Sequence, residues 1–551
     1  MLKVFNKNNI EKELLFIPLG GAGEIGMNCN LYHYNNKWIM VDMGINFYKN
    51  KLNEMNIMIP CVQFIKNQLN NKIIALIITH AHEDHIGAII YLYKNINCRI
   101  YATKMTKNII QSKMKEYNIC YNLNIVEVKK KFKIEDFFLE YLNLPHSIPE
   151  MNAIIISTPI GNVFHTGDWR FNSYPLLNYK NNLKYFFKIS KKNILAIVGD
   201  STNIFNKIPE RSESILKKNL IKIINKYNKN LIIITTFASN IIRLKSIILA
   251  ANISERKVIL IGKSLKKMFF IAQKSGFLLN QIIYEEKELN NFVRNKILII
   301  CTGCQGEKNS VIYKIASNNF NNLIIKNNDL IIFSSKIIPG NEKEIYNIFN
   351  KLVFLGAKVL NENNFFTHVS GHSSCFEIDL IYRIINPLIS IPIHGENFHL
   401  QEHYNIAKNL GIPYVIKAKN GDIIIIKKNY ANILSSIKTL KYVIDKNMII
   451  ENNNILTKTR TYIYKNGILF IILILDKYKI ISLNICAPGI LDVNLDYIII
   501  NNIKNKILYL TKYINIYSFN YYTNSIIKLI KKFIQLQKKK TPLIELLIKL
   551  Y

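Results

Sequence analysis

The chain has 551 residues, 49 % of them apolar, and carries 73 basic against 37 acidic side chains for a formal net charge of +36. That length and apolar share exclude a disordered chain and predict two to four domains rather than one core. The charge suits a polyanionic partner, nucleic acid before an anionic membrane; yet only eight of the basic residues are Arg, and Asn, Ile and Tyr abound, a bias that AT-rich coding writes anywhere, so charge alone does not decide function.

In chain order, "LLFIPLG" at 14–20 predicts a strand and 30–42 a hairpin with "NN" at its turn. "GAGEIG" at 21–26 has the G-x-G-x-x-G spacing, but the next segment, "MNCNLYHY", reads as strand. A dinucleotide fingerprint needs a helix there, so the glycines predict a tight turn between strands beside a site. "KIIALIIT" at 72–79 predicts a buried strand, the stretch after it a helix, and 153–168 a hairpin ending in a loop. From 206 to 361 four apolar runs alternate with helical spacing, which predicts an α/β segment with its own parallel sheet. Polar turns return near 365; the last hundred residues predict strands, "TYIYKNGILFIILILD" among them, and a basic amphipathic helix at 525–537 suited to core or dimer packing. The eight cysteines form no dense framework, and Cys301 and Cys304 make one CxxC with no second to complete a zinc site, so free thiols are expected. No signal pattern opens the chain, and the apolar run at 467–475 falls far short of the roughly 20 residues of a span. The expectation is a soluble protein of the cytoplasm, or of an organelle matrix or stroma, with no membrane partner.

The densest chemistry is "THAHEDHIGA" at 79–88. His80 and His82, one residue apart, can point to the same side of an extended backbone. Asp84 and His85 fall where the chain turns into a helix. H-x-H-x-D-H thus offers two groups of ligands, and imidazole nitrogen with carboxylate oxygen is what Zn²⁺ accepts, at roughly 2.0–2.2 Å. Two metals need further ligands. His146 in "LPHSIPE", Asp168 in "HTGDWRF" and His394 in "IPIHGEN" stand at turns after β-like runs, although each taken singly could equally be a structural residue.

The set "VDMG" (Asp42), "THAHEDH", "PHSIP", "HTGD" and "IPIHGE" resembles the metallo-β-lactamase superfamily. "GDSTN" at 199–203, "TTFASN" at 235–240, "TGCQGE" at 302–307, "FSSKIIPGNE" at 333–342 and "HVSGHSS" at 368–374 narrow this to the β-CASP nucleases, and among them to the ribonuclease J group. The resemblance implies an αβ/βα four-layer sandwich (1–205 and 362–430), an inserted β-CASP α/β domain (206–361), a linker (431–454) and a small C-terminal α/β domain (455–551). It implies two zinc ions per subunit, one on His80, His82, His146 and Asp168, the other on Asp84, His85, Asp168 and His394, with Asp168 bridging and Asp42 orienting a ligand from behind. His372 would lie beside the scissile phosphate and Asp200 would help position it. Ala238, Ser239, Asn240, His368, Val369, Ser370, Gly371 and His372 would contact substrate. The implied activity is 5′→3′ exonucleolytic and endonucleolytic cleavage of single-stranded RNA. It would prefer 5′-monophosphate ends, leave 5′-phosphate products, and serve rRNA maturation and mRNA decay in a homodimer or homotetramer. Cys304 stands where the family has Ser or Thr, Ile242 where it has a polar or ring residue, and the C-terminal region matches loosely. Other readings are a β-CASP nuclease for DNA or tRNA precursors, a small-thioester hydrolase on the same fold, and a non-catalytic RNA-binding paralogue.

Overall fold

Runs of β-branched residues, buried on both sides, form two sheets that face each other in the computed structural model, which describes residues 11–49, 55–61, 63–69, 72–95, 98–119, 123–171, 182–208, 211–320, 323–446, 448–452, 454–476, 479–511 and 519–550. Cys120 and residues 1–10 lie outside this range. The first sheet has eight strands, in the order Tyr430–Ser436, Asp422–Lys427, Leu14–Gly20, Cys29–Tyr34, Lys37–Val41, Ile73–Ile77, Arg99–Ala102 and Ile125–Glu127. The second has seven: Lys131–Ile134, Phe137–Asn143, Asn152–Thr158, Gly161–His165, Ile194–Asp200, Ile389–Ile393 and Tyr414–Val415. Phe16, Ile39 and Ile77 of the first pack with Tyr141, Ile154, Val198 and Ile391 of the second in one fully desolvated core. Helices Asn182–Ser190, Cys375–Ile385 and Asn397–Asn409 cover the second sheet through Phe186, Ile381, Tyr382 and Ala407. Helix Lys104–Glu116 lies against the edge strand Ile125–Glu127 of the first. This is the expected four-layer sandwich.

The early hairpin turns at Asn35 and Asn36, both with positive φ (51° and 59°), as the right-handed twist of the flanking strands demands. "GAGEIG" carries the chain between strands Leu14–Gly20 and Cys29–Tyr34, and Ala22 pairs with Gly395.

Strands Ile194–Asp200 and Ile389–Ile393 are parallel neighbours, with Asp200 opposite Ile393. After Asp200 the chain leaves the sandwich, and it has returned by helix Cys375–Ile385. Within that excursion the four apolar runs, joined by Lys358–Leu360, form a five-stranded parallel sheet in the order Lys257–Ile261, Ile297–Cys301, Ile232–Thr235, Leu330–Phe333, Lys358–Leu360. Cys301 and Cys304 belong to its core, and burial pushes both thiols up to about 12, so the CxxC is packing rather than redox or metal chemistry. The described cysteines are all free.

The chain divides into two compact units, Met1–Asn46 with Ile59–Leu440 and Phe47–Met58 with Lys441–Tyr551. In the second, Leu469, Ile471 and Leu473 alternate inward along strand Ile468–Asp476, and Leu469 and Ile471 pack against Ile526, Ile530 and Ile534 at i, i+4, i+8 of helix Phe519–Lys538. The basic helix therefore buries an apolar stripe, as expected for packing. Two expectations are corrected here. "TYIYKN" is the end of helix Ile455–Asn466 rather than strand, because Asn454 caps its start by accepting from Thr457 N–H and Gly467 (φ 75°) ends it. The stretch 431–454 is no extended linker: Tyr430–Ser436 closes the first sheet, and Tyr442–Asp445 pairs with Met448–Glu451, burying Val443 and Ile444. Among the described residues no helix is long and apolar enough to cross a membrane.

Candidate metal centre

The expected ligands come together where strands end. Lys37–Val41 delivers Asp42, Ile73–Ile77 delivers the 79–85 turn, Gly161–His165 delivers Asp168, and the paired strands Ile194–Asp200 and Ile389–Ile393 place Asp200 beside His394. His146 enters from the loop after Phe137–Asn143. Asp42 and His394 both hold positive φ, 63° and 53°, a cost that non-glycine residues bear where geometry is over-determined by the surroundings. Gly44 is needed because a Cβ there would lie 1.6 Å from the carbonyl oxygen of Asp84.

Among the described residues three groups of candidate ligands share Asp168: His80, His82, His146 and Asp168; Asp84, His85, Asp168 and His394; and Asp168, Asp200, His372 and His394. In the first, His82 Nδ1 is 3.0 Å from both His80 Nε2 and His146 Nε2, and those two are each 3.7 Å from Asp168 Oδ2. In the second, His85 Nε2 and His394 Nε2 lie 3.3 and 3.4 Å from Asp168 Oδ1, and 3.7 and 3.5 Å from Asp84 Oδ2. The ring protons are assigned elsewhere. His80 Nδ1 faces Thr79 Oγ1 at 3.0 Å, His85 Nδ1–H donates to Asp42 Oδ2 at 2.8 Å, and His146 Nδ1–H donates to the Gly371 carbonyl at 2.6 Å. Nε2 of His80 and His146 is therefore a lone pair aimed inward, and Nε2 of His85 points the same way, toward Asp84 and Asp168. Burial holds His80 and His146 well below the usual imidazole range and brings His82 down to about 4. His85 goes the other way: burial opposes its charge, but Asp168, Asp84 and Asp42 outweigh it.

These residues fit a pair of divalent cations. Asp168 Oδ2 and His394 Nε2 are buried without a hydrogen-bond partner, and a cation is what an orphaned carboxylate oxygen among lone pairs accepts. A cavity of about 10 Å³, room for a single water or ion, touches His85, Asp168, Asp200 and His394.

His372 and Asp200 flank this centre. His372 Nδ1–H donates to Asp200 Oδ2 at 2.7 Å, and the ring lies 3.8 Å from Asp168 Oδ2. Burial disfavours the imidazolium, but Asp200 and Asp168 raise it to about 9. The loop before His372 is fixed by an unusual means. Arg243 Nη2–H donates to the carbonyl of Val369 (3.2 Å), Arg170 Nη1–H to that of Ser370 (2.8 Å), and His146 to that of Gly371. Three successive carbonyls face buried donors, so in planar trans peptides the N–H groups of Ser370, Gly371 and His372 point the opposite way. Glu213 neutralises both arginines, accepting from Arg243 Nη2–H at 2.8 Å and standing 3.9 Å from Arg170. His368 Nδ1 contacts Arg243 Nη1 at 3.3 Å. Ala238, Ser239 and Asn240 precede helix Ile241–Ile253: Asn240 caps it by accepting from Arg243 N–H, and Ile242 N–H donates to Ser147 O beside His82.

Two family models match, "Ribonuclease J, beta-CASP domain" over residues 229–352 and "Metallo-beta-lactamase superfamily" over 22–186. Ribonuclease J of Sinorhizobium meliloti is 36 % identical over 421 residues, covering 75 % of this chain and 74 % of that one. The chain belongs to the ribonuclease J family. Ribonuclease J of Mycoplasma genitalium is 34 % identical (75 % and 73 % covered), and ribonuclease J 1 of Streptococcus pyogenes 30 % (84 % and 83 %). A crystal structure of a protein of unknown function from Enterococcus faecalis aligns at TM-score 0.54 and 17 % identity over 75 % of this chain and 100 % of that one, which shows the fold alone. Ribonuclease J proteins are metal-dependent ribonucleases, hydrolases of the phosphodiester bond, and in this member of the family the histidines and aspartates around Asp168 form clusters that could hold the metal.

Other motifs of this ribonuclease J chain explain themselves. Gln305 of "TGCQGE" accepts from Ile338 N–H and donates to Lys336 O, locking that loop to "SSKIIPGNE". Cys304 and Ile242, the two departures, are both buried packing residues. Sequence reasoning missed Asn28, Thr79, Arg170, Glu213 and Arg243. Asn28 Nδ2 lies 3.1 Å from His85 Nε2 and 3.3 Å from His394 Nδ1. The available signal was the rarity of arginine: in a chain that uses lysine for nearly every cation, an Arg directly after "HTGDW" or "ASNII" marks a place where a guanidinium fork is required.

Proposed function

We propose that this chain cuts single-stranded RNA by 5′→3′ exonucleolytic and endonucleolytic hydrolysis with two zinc ions, in RNA maturation, including that of rRNA, and in mRNA decay. His80, His82, His146 and Asp168 would hold one ion, and Asp84, His85, Asp168 and His394 the other. The observation that carries this reading is the convergence of imidazole nitrogens from both groups on the one carboxylate, Asp168. Such a pair of cations, when bound, supplies a water of lowered pKa and a polarised phosphoryl oxygen.

The chain's own groups do the remaining work. Asp42 and Thr79 keep the Nδ1 protons of His85 and His80 in place, so ligand nitrogens stay free without reorganisation. Asp200 accepts the Nδ1 proton of His372 and, with Asp168, favours its imidazolium, whose Nε2–H can donate to a phosphoryl oxygen or to the leaving 3′ oxygen, with a 5′-phosphate on the product. The Gly371 N–H, opposite the Ser370 carbonyl that Arg170 holds, suits a substrate phosphate, and the small side chains of Ala238 and Ser239 leave room for a second contact with it. A phosphate cradle beside the metal pair gives a 5′-monophosphate end a reason to be preferred. Self-association into dimers or tetramers is supported by the outer face of the C-terminal sheet, where Phe470, Ile472 and Leu547 are exposed side by side. A reducing compartment, cytoplasm or organelle matrix, suits the free thiols.

The test is digestion of one RNA labelled at either end, as 5′-triphosphate and 5′-monophosphate. Mononucleotides released from the monophosphate form alone support the exonuclease reading. Internal fragments independent of the end group support the endonuclease. Cleavage of the equivalent DNA at the same rate would overturn the assignment to RNA.

A further inference from the structure

The loop that follows Asp200 and the helix that follows His394 each put a phenylalanine on the surface beside the metal centre. Phe205 and Phe398 stack with centroids 4.4 Å apart and planes 23° from parallel, and His399 meets Phe205 edge-on at 5.1 Å. Phe398 is 70 % exposed and Phe205 41 %, so the outer face of Phe398 is uncovered. Many apolar side chains of this chain are exposed singly, which needs no explanation. A stacked pair is different, because both rings are oriented and neither is buried.

The pair is held by the same residues that build the site. Thr202 Oγ1–H donates to the His394 carbonyl at 3.0 Å, Asn203 Nδ2–H donates to the His372 carbonyl at 3.4 Å, and Cys375 N–H donates to Asn206 O at 2.9 Å. The 201–206 loop is therefore pinned on one side to the ligand His394 and on the other to the loop of His372. Phe398 opens helix Asn397–Asn409, four residues after His394. Lys336, exposed on the β-CASP side, bears electrostatically on both His368 and His399, so its charge reaches the cradle loop and the rings alike. Phosphate-seeking charge next to an open aromatic face is the combination that single-stranded nucleic acid uses, since every base offers a π-face whatever its sequence.

We propose that Phe398, backed by Phe205, is a stacking platform for an unpaired nucleobase of the substrate, next to the nucleotide being cut. This rests on the reading of the chain as an enzyme of single-stranded RNA and adds to it a base contact that is tolerant of sequence. It also explains a preference for single strands, because a paired base cannot present its face to the ring.

The test uses the full-length protein, a 5′-monophosphorylated single-stranded RNA, and a series of the same RNA with one abasic nucleotide moved stepwise from the 5′ end. Phe398→Ala raises KM on intact RNA roughly 5- to 100-fold, the range of one base–aromatic stack, with a smaller effect on kcat. One abasic position costs the wild type a similar factor and costs Phe398→Ala nothing further. Phe398→Tyr restores the wild-type KM. Binding of each RNA is measured alongside by fluorescence anisotropy with metal removed, so the platform is tested even if no RNA is cut; failure to cut any RNA would overturn the ribonuclease reading instead. The platform is overturned if Phe398→Ala weakens intact and abasic RNAs equally at every position, or leaves both unchanged. It is likewise overturned if the substitution alters only the sedimentation of the protein, which would make the ring a contact between copies.

Discussion

Asp42→Asn isolates the support of one ligand from the ligand itself. Asp42 accepts three hydrogen bonds of 2.8 Å: Thr79 N–H on Oδ1, and Thr79 Oγ1–H and His85 Nδ1–H on Oδ2. Its φ of 63° is one that Asn adopts readily, so the backbone is undisturbed. The amide, however, offers one acceptor where the carboxylate offers two. The Thr79 N–H is fixed in the chain and claims the oxygen. The NH₂ then faces His85 Nδ1, which responds by taking the other tautomer, with its proton on Nε2, the ligand atom. Metal binding must reverse that tautomer against a donor–donor clash, at a cost of about 1–3 kcal/mol. The expected result is a 10- to 100-fold loss of affinity, the usual range for a residue that orients a ligand. The loss falls on the Asp84, His85, Asp168, His394 group, with less effect on the His80 group, which Asp42 reaches only through Thr79 Oγ1. Competition with a chromophoric chelator resolves the two affinities, and an unchanged melting temperature of the metal-free protein confirms that folding is intact. Two wild-type affinities within twofold would refute the tautomer argument.

Removal of metal by a chelator should lower the melting temperature, and zinc at 100 times its dissociation constant should restore about 2.7 kcal/mol per site; a melting curve indifferent to both would sink the metal assignment. Gly371→Ala would put a methyl 2.8 and 2.9 Å from Cε1 and Nδ1 of His146. Displacing that ligand should cut kcat by about 100-fold, and retention of wild-type kcat would show that the ring has room. Glu213→Gln leaves two buried guanidiniums without a counter-charge and should destabilise by about 3–5 kcal/mol at neutral pH, read in thermal unfolding. Burial opposes the Glu213 charge, but Arg243 and then Arg170 hold its carboxyl below the ordinary 4.5. With a depressed folded value, its stabilisation is complete above 4.5 and is lost as pH falls through the folded value. The gap between wild type and Glu213→Gln should therefore close on acidification; a gap that stays constant down to pH 2 would contradict the ion-pair account.

The sequence made His80, His82, Asp84 and His85 legible because their spacing is local, and one turn of chain decides which way each points. His146, Asp168 and His394 were visible only as polar residues after apolar runs, and the resemblance, not the spacing, joined them to the cluster. The buried arginine pair was flagged only by the rarity of arginine in this chain, and nothing in the sequence joins its two members. Arg170 and Arg243 sit in different layers and meet through Glu213 and the 369–371 carbonyls, partners that no periodicity brings together. The helix Ile455–Asn466 was misread because alternating Tyr and Ile in "TYIY" mimic a strand, while the deciding signals, Asn454 and Gly467, lie at its ends. The 431–454 stretch was misread because its strands are short and two of them, Tyr430–Ser436 and Met448–Glu451, are largely exposed, so the two local hairpins they form with Asp422–Lys427 and Tyr442–Asp445 show little apolar pattern.

The composition of the chain bears on the same question. Three of its eight arginines, Arg170, Arg243 and Arg256, are buried. Arg243 donates to Ser334 O, Val369 O and Glu213, and Arg256 to the carbonyls of Tyr227, Asn230 and Ile297. A lysine in either place has one flexible nitrogen and cannot bridge carbonyls that lie on different elements, whereas the guanidinium is a rigid fork that stays charged at any working pH. On the surface, where a cation has only to attract a phosphate through solvent, the two side chains serve alike, and there lysine predominates. The charge surplus that could not by itself point to function thus separates into two parts: an exchangeable lysine field outside, and a few arginines inside that set the cradle loop and, through His146 and Gly371, its alignment with the metal centre.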